Sequence, residues 1–209
     1  MVRLKGNPSP LSAVVFDLGN VLVDYNPPRH MFKLGIPPEH IPRMMEILDK
    51  RPEWHEFDRG VLTRDDMIAL AVRDEPSLRP EITRYIRHRS ECFTALSGNV
   101  EIMYRVKEAG LKTYLLSNVM QDDYDYFSEH FVFMHDFDGS ILSFQHQINK
   151  PDPAIFDLLL KTYPEIDPAH TLFIDDVERN CLAGAQAGLL TLCLPAEGEI
   201  APYLEFTEE

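Results

Sequence analysis

The chain has 209 residues, 44% of them hydrophobic, with 34 acidic against 20 basic side chains and a formal net charge of −14. That length suits one sizeable domain, or a core with a modest insertion. The acidic balance argues against nucleic acid or an anionic membrane as partner, since both need a basic footprint.

No apolar run approaches the roughly 18 residues of a membrane-spanning helix. Residues 1–10 carry two basic side chains but no apolar signal-peptide core, so the cytoplasm is the expected location. Cys92, Cys181 and Cys193 are scattered without the paired spacing of zinc or redox sites, and each is expected to serve as buried packing. The eight histidines contain no His-Glu-x-x-His pattern, which argues against a zinc enzyme.

The first strong signal is Ser12–Tyr25. The apolar run Ala13–Phe16 ends abruptly in Asp17, with Gly19 two residues on, and reads as a buried strand. A carboxylate at the carboxyl end of such a strand faces the crevice where open α/β sheets bind ligands. An ordinary turn residue or helix cap is the competing reading. Val21, Leu22 and Val23 continue briefly before Asn26-Pro27-Pro28 breaks regular structure.

From Arg29 to Ser97 helical spacing takes over: Met44, Ile47 and Leu48 share one face, as do Met67, Leu70 and Ala71. Pro37-Pro38, Pro52, Pro76 and Pro80 divide the region into short helices, and Thr63-Arg-Asp-Asp66 has the form of a capping box. Residues 28–97 are therefore expected to form an all-helical insert in a core made of residues 1–27 and 98–209. Because the insert leaves just after the Asp17 strand, it is expected above that carboxylate.

Strand and helix then alternate. The pattern predicts a helix over Asn99–Ala109, stopped by Gly110, and a strand over Lys112–Leu116 ending in Ser117-Asn118. A helix over Asp122–His130 and a short strand over Phe131–Phe133 follow, then a helix over Pro153–Tyr163 opened by proline. A strand over Thr171–Ile174 ends in Asp175-Asp176. A helix over Glu178–Ala187 and a strand over Leu190–Leu194 close the series. This alternation implies an α/β fold: a Rossmann-like parallel sheet with helices on both faces and the helical insert as an extra layer. The acidic tail, residues 196–209, is expected to be loosely held.

Polar residues of a particular set collect at the strand ends: Asp17, Ser117-Asn118 and Asp175-Asp176, with Lys150 in a loop entering a helix. In isolation each has an ordinary reading, as turn, helix cap or solvated surface lysine. If the strands are parallel and adjacent, the ends share one sheet edge and three carboxylates crowd together, which needs compensation. A hard divalent cation with oxygen ligands answers that need, and Mg²⁺ suits a site with few protein ligands. With a lysine and a serine hydroxyl beside it, the set makes a phosphate cradle with a nucleophile inside.

In these motifs the chain resembles the haloacid dehalogenase superfamily over essentially its whole length: Asp17-Leu-Gly-Asn-Val21, Leu116-Ser-Asn118, Lys150-Pro-Asp152 and Phe173-Ile-Asp-Asp176. The Phe-Asp-Leu-Gly-Asn-Val-Leu form and the segment Trp54-His-Glu-Phe-Asp-Arg-Gly60 look like its sugar-phosphatase-like branch, which includes a glucose-1-phosphate phosphatase. The resemblance implies a Mg²⁺-dependent phosphatase of a small phosphorylated metabolite, a sugar phosphate among the candidates. Asp17 would be the nucleophile that forms an aspartyl-phosphate. Ser117, Asn118 and Lys150 would make up the substrate-binding set, with Lys150 also steadying the acidic cluster. The metal set would be Asp17, the Gly19 carbonyl, Asp175 and Asp176. Asp176 would be the direct ligand, and Asp175 either a ligand through water or the partner of Lys150. The insert would be a cap.

One position departs from the pattern. Superfamily phosphatases usually carry a second Asp two residues after the nucleophile, as acid to the leaving group and base to the water; here that residue is Gly19. Loss of a positioned acid/base costs ~10²–10⁴-fold, so turnover is expected to favour leaving groups that need little protonation: anomeric, acyl and aryl phosphates. Two other readings accompany this one, a metal-independent 2-haloacid dehalogenase and a weakened phosphometabolite-binding protein. In the insert, Arg29, His30, Trp54, His55 and Arg59 are candidates to reach the substrate, against a reading in which Trp54 and Phe57 pack and the charges are solvated.

Overall fold

The computed structural model describes residues 1–48, 51–196 and 198–207. In chain order, β1 (Val2–Leu4) and β2 (Ala13–Phe16) come first. Five short helices follow: α1 (Pro27–Lys33), α2 (Ile41–Leu48), α3 (Glu53–Asp58), α4 (Arg64–Asp74) and α5 (Arg79–His88). Then come α6 (Ser97–Glu108), β3 (Lys112–Ser117), α7 (Gln121–His130), β4 (Gly139–Leu142), α8 (Ser143–His146) and α9 (Pro153–Thr162). The chain ends with β5 (Thr171–Asp175), α10 (Glu178–Gln186), β6 (Leu190–Cys193) and β7 (Leu204–Phe206).

Side chains alternate between the faces of a strand, and in β2 both faces are apolar. Val14 and Phe16 join one buried cluster with Ile102, Met103 and Val106 of α6. Ala13 and Val15 join another with Ile155, Phe156 and Leu159 of α9 and Ala183 of α10. A strand covered on both sides belongs in the middle of a parallel sheet. The five strands run parallel in the order β4-β3-β2-β5-β6, with β2 at the centre.

The region between β2 and α6 is helical, with its own buried cluster of Met31, Met44, Met67, Ile82, Tyr85 and Ile86. The expected capping box forms at α4: the Asp66 N–H donates to Thr63 Oγ1 at 3.2 Å, and the Thr63 N–H donates to Asp66 Oδ2 at 2.9 Å. Such caps stabilise a helix by about 1 kcal/mol. Met120, just beyond β3, packs into this same cluster and so joins the helical layer to the sheet edge.

Three expectations are corrected. The run Phe131–Phe133 is not a strand. Residues Val132–His135 form a 3₁₀ turn in which Phe133 is buried and Val132 is 78% exposed. The fourth strand is β4, whose Gly139-Ser140-Ile141-Leu142 has too short an apolar pattern to announce itself. Asp138 sets where it begins: its N–H donates to the Thr113 carbonyl at 2.8 Å, and its carboxylate accepts the Thr113 N–H at 2.9 Å. The tail is held rather than loose. β7 pairs antiparallel with β1, Ile200 and Leu204 are buried, and the Arg105 guanidinium lies 4.2 Å over the Phe206 ring. Glu197, Glu208 and Glu209 of that tail lie outside the described residues. Finally, Cys92 and Cys181 are buried as expected, but Cys193 closes the edge strand β6 and is exposed.

Candidate active site

Register brings the strand ends together. Phe16 lies level with Leu115 of β3 and Ile174 of β5, and the Asp17 N–H continues the ladder to the Ile174 carbonyl at 2.9 Å. Asp17 therefore emerges between Ser117 and Asp175. Lys150 enters from the loop before α9, and its ammonium, on a residue only 1% exposed, donates to Asp17 Oδ1 at 2.7 Å, Asp175 Oδ2 at 2.6 Å and the Leu116 carbonyl at 2.8 Å. Asn118 clamps the Lys150 backbone from both sides, accepting its N–H at 2.8 Å and donating to its carbonyl at 2.9 Å. Both ends of the Asn118 amide are thus engaged in positioning Lys150.

The acids differ in their surroundings. Asp175 is fully buried and accepts from the Val177 N–H at 2.9 Å, from Asn180 at 3.0 Å and from Lys150. Asp176 is half-buried and accepts from Asn20 Nδ2 at 2.8 Å. Asn20 holds the left-handed conformation, φ 54°, that asparagine tolerates better than most residues. Its Oδ1 accepts the Tyr25 N–H at 2.9 Å, tying the loop after β2 to Asp176. The Ser117 hydroxyl, on a residue 2% exposed, lines the cavity and forms no hydrogen bond among the described residues.

Burial pushes Asp17 up to about 7; Lys150 opposes the rise, and the charges of Asp175 and Asp176 add to it. Asp176 is also raised, mainly by burial. Burial would lower Lys150, but Asp17 and Asp175 outweigh it and hold the ammonium charged. One lysine is thus set against three carboxylates, whose oxygens lie within 4.8 Å of one another. The Gly19 carbonyl, at the cavity wall, accepts no hydrogen bond among the described residues. Three carboxylates short of positive charge and a free carbonyl are a donor set that fits a hard divalent cation.

Above this edge lies a cavity of about 350 Å³, floored by Asp17, Ser117, Lys150 and Asp176 and walled in part by Tyr25, Phe93 and Phe127. From the helical layer Trp54, Asp58 and Arg89 reach it. Arg89 is buried, pairs with Asp123 at 3.0 Å and places its guanidinium 5.0 Å over the Trp54 ring. Of the five insert residues singled out in the sequence, Trp54 lines the cavity and the other four do not. Arg29 and His30 turn to Asp24, Arg59 pairs with Glu56, and His55 is exposed. Sequence reasoning missed Asp58, Arg89 and Asp123. A signal for Asp58 was present, because Trp54 and Asp58 stand four apart on one helix and so share a face.

The end of α3 is fastened to the sheet edge. Ser143 Oγ donates to the Asp58 carbonyl at 2.5 Å and accepts the Val119 N–H at 2.9 Å, while Asn149 Nδ2 donates to the His55 carbonyl at 2.8 Å. Gly60, at φ +70°, lies so close to Phe144 that an added Cβ would stand 3.2 Å from Phe144 Cβ.

A parallel five-stranded sheet carries a lysine-bridged acidic cluster on its carboxyl edge with a helical layer over it, which defines an α/β protein with a ligand crevice at its strand ends. The model of the haloacid dehalogenase-like hydrolases matches residues 11–188, and the chain belongs to that family. Among curated proteins it is 24% identical to the sesquiterpene phosphatase astK of Aspergillus oryzae over 182 residues, 87% of this chain and 89% of that protein. Among solved structures it is similar to the HAD family enzyme BT-2542 of Bacteroides thetaiotaomicron in complex with magnesium and inorganic phosphate. The TM-score is 0.73, with 19% identity over 92% of this chain and 98% of that one. It is also similar to the L-2-haloacid dehalogenase of Xanthobacter autotrophicus with chloropropionic acid covalently bound. There the TM-score is 0.66, with 15% identity over 88% and 77% of the two chains.

Proposed function

We propose that the protein is a Mg²⁺-dependent phosphatase that hydrolyses a small phosphorylated metabolite through an aspartyl-phosphate on Asp17. The observation that carries this reading is the Asp17 carboxylate, held by Lys150 at 2.7 Å on the floor of a cavity beside the unengaged Ser117 hydroxyl. An Asp17 oxygen attacks phosphorus as the bond to the leaving group breaks; water then attacks the same phosphorus, releasing inorganic phosphate and restoring Asp17. Lys150 keeps the nucleophile oriented and neutralises charge at the phosphoryl group, and Ser117 donates to a phosphoryl oxygen. Asn118 acts by clamping Lys150.

Asp17, Asp176 and the Gly19 carbonyl would hold Mg²⁺, with Asp175, already engaged by three donors, supporting Lys150. Bound there, the ion would supply positive charge for the phosphoryl oxygens. The names of the Aspergillus relative and of the magnesium–phosphate complex support a phosphatase. The aromatic wall of Tyr25, Trp54 and Phe93 suits a leaving group with an apolar or ring face, so prenyl and aryl phosphates belong beside sugar phosphates as substrates. Among the described residues no helix is long and apolar enough to cross a membrane.

The test is phosphate release from a panel of sugar, acyl, aryl and prenyl phosphates with Mg²⁺, with Asp17→Asn as control and 2-haloacids in EDTA alongside. Mg²⁺-dependent release absent from the variant is expected. No release on any ester would end the phosphatase reading, and halide release in EDTA would replace it with the dehalogenase.

A further inference from the structure

Resting on that reading, the reaction needs a proton for its leaving group, and position 19 has no side chain to give one. Space is not the reason: a Cβ added at Gly19 would meet nothing nearer than Tyr25 Cβ at 3.9 Å. Outside the metal cluster, the carboxylates lining the cavity are Asp58 and Asp123. Asp123 is occupied, accepting from Ser90 Oγ, Arg89 at 3.0 Å and Arg64 at 3.4 Å. The Asp58 carboxyl accepts no hydrogen bond among the described residues. Its backbone, by contrast, is fixed through Ser143 to Val119, two residues beyond Ser117.

We propose that Asp58 is the general acid and base of the reaction, serving the leaving-group oxygen from the helical layer in place of a carboxyl at position 19. Burial pushes Asp58 up to about 7; Arg89 opposes the rise, and the charges of Asp123 and Asp17 add to it. The carboxyl is therefore substantially protonated at neutral pH, as an acid catalyst requires. In the first step an Asp17 oxygen bonds to phosphorus, the phosphorus–oxygen bond to the leaving group breaks, and that oxygen takes the Asp58 proton. In the second, the Asp58 carboxylate takes a proton from the water that attacks phosphorus. The bond from phosphorus to Asp17 then breaks, and Asp58 is left protonated for the next cycle. The donor stands at the end of α3, which Ser143 and Asn149 fasten to the sheet edge, so its place at the cavity is fixed relative to the Asp17 strand.

The experiment compares wild type, Asp58→Asn and Asp58→Ser, each checked for folding by circular dichroism, on an aryl phosphate and an alkyl phosphate with Mg²⁺. With Asp58→Asn, steady-state alkyl hydrolysis is expected to fall ~10²–10⁴-fold. The aryl ester should keep a burst of about one phenol per enzyme, followed by slow turnover, because its first step needs no acid while the second still needs the base. Gly19→Asp placed on Asp58→Asn is expected to restore alkyl hydrolysis by at least about tenfold. Equal losses on both esters without a burst, or rates within about threefold of wild type for both variants, overturn the assignment. A wild type inactive on every ester overturns the phosphatase reading itself, whereas an active wild type with unaffected Asp58 variants removes Asp58 alone.

Discussion

The acidic edge makes Asp17 a group that the fold holds at a cost, and Asp17→Asn is therefore expected to stabilise the protein while abolishing turnover. The carboxyl is raised from 3.8 to about 7, chiefly by burial and against the pull of Lys150. Below about pH 4 it is protonated in folded and unfolded chains alike and has no effect. Between about pH 4 and 7 the unfolded chain ionises while the folded one keeps its proton, so stability falls by about 1.4 kcal/mol per pH unit. Above pH 7 both are ionised and the penalty levels off at roughly 4 kcal/mol. Asparagine carries no charge to desolvate and can still present a carbonyl oxygen to Lys150. Urea denaturation in EDTA at pH 4.5, 6, 7 and 8.5 reads the difference. The variant should exceed wild type by only about 1 kcal/mol at the lowest pH and by about 2–4 kcal/mol at the highest. Added Mg²⁺ should then stabilise wild type and leave the variant nearly unmoved, since a ligand stabilises the state that binds it. A variant no more stable than wild type at pH 8.5, or a gap independent of pH, would refute the reasoning.

Lys150→Met removes the one ammonium bridging Asp17 and Asp175 and is expected to cost about 3–5 kcal/mol in denaturation experiments, and distinctly less on an Asp17→Asn background, where one of the two charges is gone. Asp138→Asn tests the anchor of β4. Burial alone would raise Asp138, but Lys112, the Thr113 N–H and Lys107 outweigh it and hold the carboxyl at about 2. The stabilisation is present above about pH 4 and is lost as pH falls toward 2; because solvent screens this exposed cluster, the variant should be about 1 kcal/mol less stable at neutral pH and converge with wild type in acid. Gly60→Ala places a Cβ in a left-handed backbone against Phe144 and should cost about 1–2 kcal/mol, raising KM through a looser α3, as thermal melts and steady-state kinetics would record.

The central features of the fold could be read directly because they repeat locally. Ala13–Phe16 and Thr171–Ile174 are apolar on both faces, which marks interior parallel strands, and the polar residues that end them stand where such strands open onto a crevice. The capping box at Thr63 was likewise written in four consecutive residues. What escaped depended on partners far along the chain. β4 exists because Asp138 hooks onto Thr113, and β7 because residues at the other end of the chain supply β1. Phe131–Phe133 had strand-like residue types, yet the chain turns there, and β-propensity yields to that context.

The site divided the same way. Asp17, Ser117, Lys150, Asp175 and Asp176 are each fixed by a strand end or by the loop beside one, and they converge as expected. Asn118 converges too, but its amide faces the Lys150 backbone, a pairing that spacing alone does not reveal. Arg89 stands in no local pattern that singles it out. Only tertiary packing buries it against Trp54 and Asp123 and turns it into cavity wall.

Covalent trapping tests the central claim most directly. The protein is mixed with an aryl phosphate and Mg²⁺, quenched in acid within the first turnovers, digested and sequenced by mass spectrometry. One added phosphoryl group on Asp17 is the predicted result, in substoichiometric to full yield and rising in Asp58→Asn, where breakdown of the intermediate is slowed. An active enzyme that carries no phosphoryl group on Asp17 under any quench time, or carries it on another residue, would contradict the assignment of Asp17 as the phosphoryl acceptor.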